Sequence, residues 1–145
     1  NGFNSGAFTG QPVLDATGVM GQVIFTSAYT SRVLLITDAD HAIPVEVNRN
    51  GLRSVAYGLG HYDYLELQDL SDTADIEVGD TLVSSGLGLR FPKGYPVAEV
   101  IEVQHFAGQD FAKVLAKPTA ALGRSRHLLL IETPQQQSLA QQEVK

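Results

Sequence analysis

Cysteine is absent from this 145-residue chain. Disulfide and thiolate chemistry are therefore excluded, while the compartment stays open, an oxidising one included. Charge is scarce: Asp, Glu, Lys and Arg together make up 18% of the residues, below the roughly 25% of an average soluble domain. The polar surface must then be built mostly from Ser, Thr, Gln and Asn, and a weakly charged surface resists self-association poorly. Basic charge is scarcest of all. Ten Lys and Arg face sixteen Asp and Glu, a formal net charge of −6, which argues against a nucleic-acid partner, because that binder needs a basic stripe to neutralise phosphates. No window approaches the roughly 18 apolar residues of a membrane span. The only methionine is Met20, and the opening residues are not expected to form a signal peptide. The loop-like opening Asn1-Gly2-Phe3-Asn4-Ser5-Gly6 is expected to be the interior of a longer protein.

Catalytic signatures are missing too. Neither Gly-x-Ser-x-Gly nor Gly-Asp-Ser-Gly occurs, so no nucleophile sits in a recognisable strained turn. The Gly-rich stretch Gly86-Leu-Gly-Leu-Arg-Phe-Pro-Lys-Gly-Tyr-Pro96 is not closed by Gly-Lys-Ser/Thr and reads as a wide loop rather than a phosphate cradle. Asp38, Asp40 and His41 cluster in one turn. An Asx-turn beside a solvated histidine accounts for them more simply than a metal site or part of a triad. The expectation is no enzyme, no cofactor and no metal.

What the chain does contain is a succession of short β-type runs. Ser31 to Thr37 and Ala42 to Val47 flank the acidic turn at Asp38-Ala39-Asp40, and Arg49-Asn50-Gly51 marks the next turn. Strands are expected at Gln11–Asp15, Val19–Phe25, Arg32–Thr37, Ala42–Val47, Leu52–Tyr57, Tyr64–Leu70, Thr81–Ser84, Val97–Val103, Phe111–Lys117 and His127–Glu132. Pro12 belongs at an edge or strand start, and Gly21 suggests a bulge or close backbone approach. No helix-length apolar period separates the turns, which predicts an all-β fold.

A weak repeat runs through the chain. Phe8-Thr-Gly-Gln-Pro-Val-Leu14 parallels Glu77-Val-Gly-Asp-Thr-Leu-Val83, and Val19-Met-Gly-Gln-Val-Ile24 parallels Val97-Ala-Glu-Val-Ile101 with one residue fewer. In each copy a further strand follows, Arg32-Val-Leu-Leu and Ala112-Lys-Val-Leu. Two small β-barrel-like modules packed together are expected, residues 1–72 and 73–132, with the polar stretch Ser71 to Ile76 between them. The last strand is expected to return to either module. Residues 133–145, rich in Gln, are expected to be a disordered tail. Charge is divided as well: three Arg stand against seven Asp and three Glu up to Val78, and seven Lys and Arg against six acids from Gly79. Unlike faces of this kind favour a contact between unlike surfaces, with a two-fold pairing as the alternative.

Loop aromatics supply the candidate contact residues. Phe91 and Tyr95 lie in the Gly-rich loop; they either plug the interface between modules or form an exposed contact. Tyr62 and Tyr64, around Gly58-Leu-Gly-His61, come next, through hairpin packing or a protein contact.

Ser31-Arg-Val-Leu-Leu-Ile-Thr-Asp, Arg49-Asn-Gly-Leu-Arg, the long stretch from Val78-Gly-Asp-Thr-Leu through Phe91-Pro-Lys-Gly-Tyr-Pro-Val97, and Arg126-His-Leu-Leu-Leu together resemble the MreC family of bacterial rod shape-determining proteins. The resemblance runs from about Gly10 to Ile131. It implies an inner-membrane anchor and a coiled coil in the full-length protein, followed by a periplasmic β-region corresponding to this chain. It also implies a non-catalytic scaffold that self-associates into oligomers or filaments. The partners it implies are a class B penicillin-binding transpeptidase and the MreD, RodA and MreB complex. Two other readings compete: a degenerate β-barrel hydrolase, and an oligonucleotide-binding barrel, which the net charge disfavours.

Overall fold

The computed structural model describes residues 10–26, 31–61, 63–87, 91–122 and 129–130. Ten strands follow in chain order: β1 (Pro12–Asp15), β2 (Gly18–Thr26), β3 (Ser31–Leu35), β4 (Ala42–Val47), β5 (Arg53–Gly58), β6 (Leu65–Ser71), β7 (Thr81–Ser84), β8 (Pro96–His105), β9 (Phe111–Pro118) and β10 (Leu129–Leu130). All ten expected strands are present, two of them, β4 and β7, with the expected bounds. The fold is all-β. Six strands close a barrel in the order β4-β5-β6-β9-β8-β7, and the remaining four form a sheet in the order β10-β1-β2-β3.

Alternation builds the barrel. Along β4, Ile43, Val45 and Val47 are buried while Ala42, Pro44 and Glu46 are not. Along β9, Ala112, Val114, Ala116 and Pro118 are buried. A strand places successive side chains on opposite faces, so one half of each strand's residues fills the interior. A six-stranded barrel is narrow, and its interior mixes large Ile43, Leu67 and Leu82 with small Ala56, Ala98 and Ala116.

The sheets do not divide at Ser71–Ile76, where the sequence places a boundary between modules. β4, β5 and β6 lie before that stretch, yet they close one barrel with β7, β8 and β9 after it. The long-range pairs β6–β9 and β4–β7 make the closure. The stretch is instead a connection within the barrel. The last strand, β10, returns to the first sheet and pairs antiparallel with β1. The expected tail, 133–145, lies outside the described residues.

The repeat is carried by two three-stranded meanders, β1-β2-β3 and β7-β8-β9. Their irregularities coincide. Pairing shifts between Val13 and Leu14 in one copy and between Leu82 and Val83, the matched residues, in the other. A second shift brackets Ile24 and its counterpart Ile101. Gly10 N donates to Val23 O, as Gly79 N donates to Val100 O. Both glycines hold positive φ, 91° and 97°, a conformation that costs a residue with a Cβ far more than it costs Gly.

The sheet and the barrel share a core. Leu14, Val19 and Ile36 belong to the same buried cluster as the barrel interior, while Val13, Met20, Val23 and Ala120 form a second, smaller cluster. Close approach reinforces the joint: a Cβ at Gly18 of β2 would lie 2.8 Å from the carbonyl oxygen of Pro96, at the start of β8.

Candidate interaction surface

The aromatic residues singled out by sequence fall in different environments. Phe91 is 3% exposed and belongs to the main core cluster. Its ring meets that of His41 edge-on, centroids 5.9 Å apart. Of the two roles open to it, this is the plug; a partner cannot reach Phe91 without displacing the core. Tyr95 is partly buried against the same cluster. Ser84 holds the loop there: its hydroxyl donates to Pro92 O and accepts from Tyr95 N, and its backbone pairs with Gly94 and Tyr95. The Gly-rich loop is thus folded back on β7. Tyr64 is half-buried and meets His61 edge-on at 5.9 Å. Tyr62 lies outside the described residues.

The Asp38–His41 turn differs from expectation in one respect. Asp38 does form the Asx-turn, accepting from Asp40 N at 2.8 Å. His41, however, is 3% exposed rather than solvated. Its Nε2 lies 3.1 Å from Gln22 Oε1 on β2. The turn direction points the imidazole inward, between sheet and barrel, so its chemistry is that of a joint. Among the described residues, no group of three or more His, Cys, Asp or Glu is placed to hold a metal ion. The described residues also include no helix long and apolar enough to cross a membrane.

Charged side chains are spent on structure at two points. Arg49, in the β4–β5 turn, donates from Nε and Nη2 to the two carboxylate oxygens of Asp80 at 2.9 and 3.0 Å, and from Nη2 and Nη1 to those of Asp75 at 2.9 and 3.1 Å. A planar guanidinium suits this two-way fork as a lysine does not. Arg49 holds both carboxyl groups below their ordinary range, and they in turn, Asp80 first, push the guanidinium upward. Asp15 ends β1. Burial pushes its carboxyl up, but hydrogen bonds from Ala121 N, Thr17 N and hydroxyl, and Gly18 N together outweigh that and leave it lowered.

Sequence reading did not single out the β8–β9 hairpin tip, where Phe106 and Phe111 are 38% and 40% exposed. Their centroids are 5.7 Å apart, and Lys113 Nζ lies 6.0 Å from the Phe106 centroid. The available signal was a pair of aromatics bracketing Ala107-Gly108-Gln109-Asp110, with Gly108 at positive φ. Two large apolar rings on a turn, with a core already filled elsewhere, have no interior to enter.

Comparison with known proteins follows the same lines. The model for the barrel core of the rod shape-determining protein MreC family matches residues 1–132. The cell shape-determining protein MreC of Haemophilus influenzae is 52% identical over 130 residues, covering 90% of this chain and 37% of that protein. The chain thus spans little more than a third of that relative's length. The crystal structure of MreC from Pseudomonas aeruginosa superposes with a TM-score of 0.88 at 61% identity, covering 91% of this chain and 85% of that one. A complex between penicillin-binding protein 2 and MreC from Helicobacter pylori contains a chain of the same fold, TM-score 0.68 at 20% identity, covering 85% and 77%. A closed six-stranded barrel joined to a second sheet, matched by the barrel-core model over 132 residues and by a relative at 52% identity, places this chain in the MreC family of rod shape-determining proteins.

Proposed function

We propose that this chain is a non-catalytic module of the bacterial cell-elongation machinery, lying in the periplasm as part of a longer, inner-membrane-anchored protein. There it controls cell shape by associating with copies of itself and engaging the peptidoglycan synthases. Membership of the MreC family carries this reading. The H. pylori complex supports a class B penicillin-binding transpeptidase as the direct partner; the MreD, RodA and MreB links rest on family resemblance alone. The side chains support the non-catalytic part. Among the described residues, the buried histidine beside the carboxylate turn, His41, is committed to the joint between sheet and barrel, and the paired acids Asp75 and Asp80 are held by Arg49.

Replacing the corresponding segment of MreC in a rod-shaped bacterium depleted of its own copy tests the proposal. Rods are expected to persist, and the purified chimera is expected to bind the transpeptidase ectodomain. Spherical cells containing a stable, normally abundant chimera would overturn the reading.

A further inference from the structure

The two ends of β6 carry surfaces of opposite character. At its start, the chain around Gly60 and the β3–β4 connection enclose a cleft of about 540 Å3, lined by Val33, Leu35, Thr37, Asp38, His61 and Asp63. Its apolar part comes from β3, and among the described residues it carries two carboxylates, Asp38 and Asp63, beside His61. At the other end, Ser71 pairs with Phe111, which places the exposed Phe106–Phe111 pair there. Lys113 lies beside these rings; its side chain is 44% exposed and reaches Glu66 only at 3.8 Å. Asp110 sits in the turn itself. β6 is seven residues long, so at about 3.3 Å per residue the two surfaces stand roughly 20 Å apart. No molecule can fill its own cleft with its own tip, but a neighbour in line can.

We propose that the Phe106–Phe111 tip of one copy docks into the Val33–Leu35 cleft of the next, with Lys113 turned to Asp38 and Asp63. The assignment rests on the reading that this chain self-associates and names the surfaces that do it. Each part has a counterpart: an exposed aromatic pair for the apolar side of the cleft, Val33 and Leu35, and a cation for two carboxylates. Aromatic anchors set in a pocket supply most of the energy of such contacts, and opposite charges fix their orientation. Because tip and cleft differ, the contact joins unlike surfaces, and repeated head-to-tail along the β6 direction it builds an open chain.

Sedimentation velocity on the whole chain, from micromolar to millimolar, tests this. The wild type is expected to grow in size with concentration. Phe106→Ser with Phe111→Ser, and separately Lys113→Glu, should weaken association by about tenfold or more, while melting as cooperatively as the wild type. Asp63→Lys should weaken it likewise. Combining Lys113→Glu with Asp63→Lys in one chain should recover much of the loss, because the reversed tip then meets a reversed cleft. A wild type that stays monomeric throughout would overturn both this contact and self-association of this chain. A wild type that associates, with every variant associating equally well, would overturn the tip-and-cleft contact alone. Surface Lys113 and Asp63 keep the test decisive should the double Phe variant fail to fold.

Discussion

Single atoms decide much of this fold. A Cβ at Gly21 would sit 2.1 Å from the carbonyl oxygen of Leu34, and one at Gly58 would sit 1.9 Å from that of Asp38. Neither neighbour is a flexible side-chain end; both are backbone, so a strand or a turn would have to move. Gly21→Ala is expected to destabilise by about 1–3 kcal/mol, read as a lowered midpoint in urea unfolding. An unchanged midpoint would mean that β2 and β3 can separate at that point without penalty. Asp15 makes a second residue-scale case. It satisfies three backbone donors and one hydroxyl. Asp15→Ala leaves partly or fully buried N–H groups without an acceptor, at an expected cost of about 2–3 kcal/mol, whereas Asp15→Asn should lose less. At this scale the sequence was partly legible. Gly21 announced a bulge or close approach because a glycine inside a strand pattern has few other reasons to be there, and the structure contains both. His41 is buried where its sequence context suggests solvent, because a turn rich in acids points outward and nothing local says which way the imidazole points. The sequence leaves two roles open to Phe91 for the same reason.

The elements were the most legible level. β-branched and apolar runs set by turn residues located all ten strands, and even the weak repeat proved to be two meanders with matched bulges and matched glycines. The grouping of strands was not legible, because β6–β9 and β4–β7 pairing joins residues far apart in the chain, and local pattern does not encode closure. The polar stretch at 71–76 looked like a linker; what fastens it to the barrel is Arg49, seen in sequence only as part of a turn. Two predictions belong here. Arg49→Leu should speed amide exchange at Ile76 and Glu77, next to the carboxylates it releases, while leaving the β8–β9 hairpin protected; uniform loss of protection would mean that the clasp governs global stability instead. The second concerns acid. Asp75 and Asp80 are held below their ordinary value of 3.8, so the folded state binds their protons less readily than the unfolded chain does. Their contribution is therefore complete above that value and is lost as pH falls through the lower, folded values. Exposure of Asp75 limits its share through solvent and salt screening; Asp80, 9% exposed, should dominate. Melting temperatures measured from pH 7 to pH 2 should fall at the acid end, and the fall should be shallower in Arg49→Leu. Parallel acid limbs would assign the loss to other carboxylates, Asp15 first.

At the scale of the molecule, the sheet and the barrel share no strand pairing and are joined by packing. The barrel strands all lie between Ala42 and Pro118, so closure needs no strand from the first sheet. Yet Leu14, Val19 and Ile36 lie in the barrel's buried cluster. His41 also reaches Gln22 across the joint. If packing governs cooperativity, the two units unfold together. A single calorimetric transition is expected, with the calorimetric and van't Hoff enthalpies equal. Ile36→Ala at the joint and Leu82→Ala inside the barrel each remove a side chain that is fully buried. Each should cost about 2–5 kcal/mol, and at roughly 2–4 °C per kcal/mol for a chain of this size each should lower the same peak by several degrees. Two resolved peaks, with Ile36→Ala moving only one of them, would mean that the barrel folds independently and carries the first sheet as an appendage. The tip-to-cleft contact would then be made between units free to shift, since the cleft takes Val33 and Leu35 from the sheet and His61 and Asp63 from the β5–β6 connection of the barrel. One cooperative unit keeps those walls in register, and a head-to-tail chain of copies can transmit orientation only if each copy is rigid from its cleft to its tip.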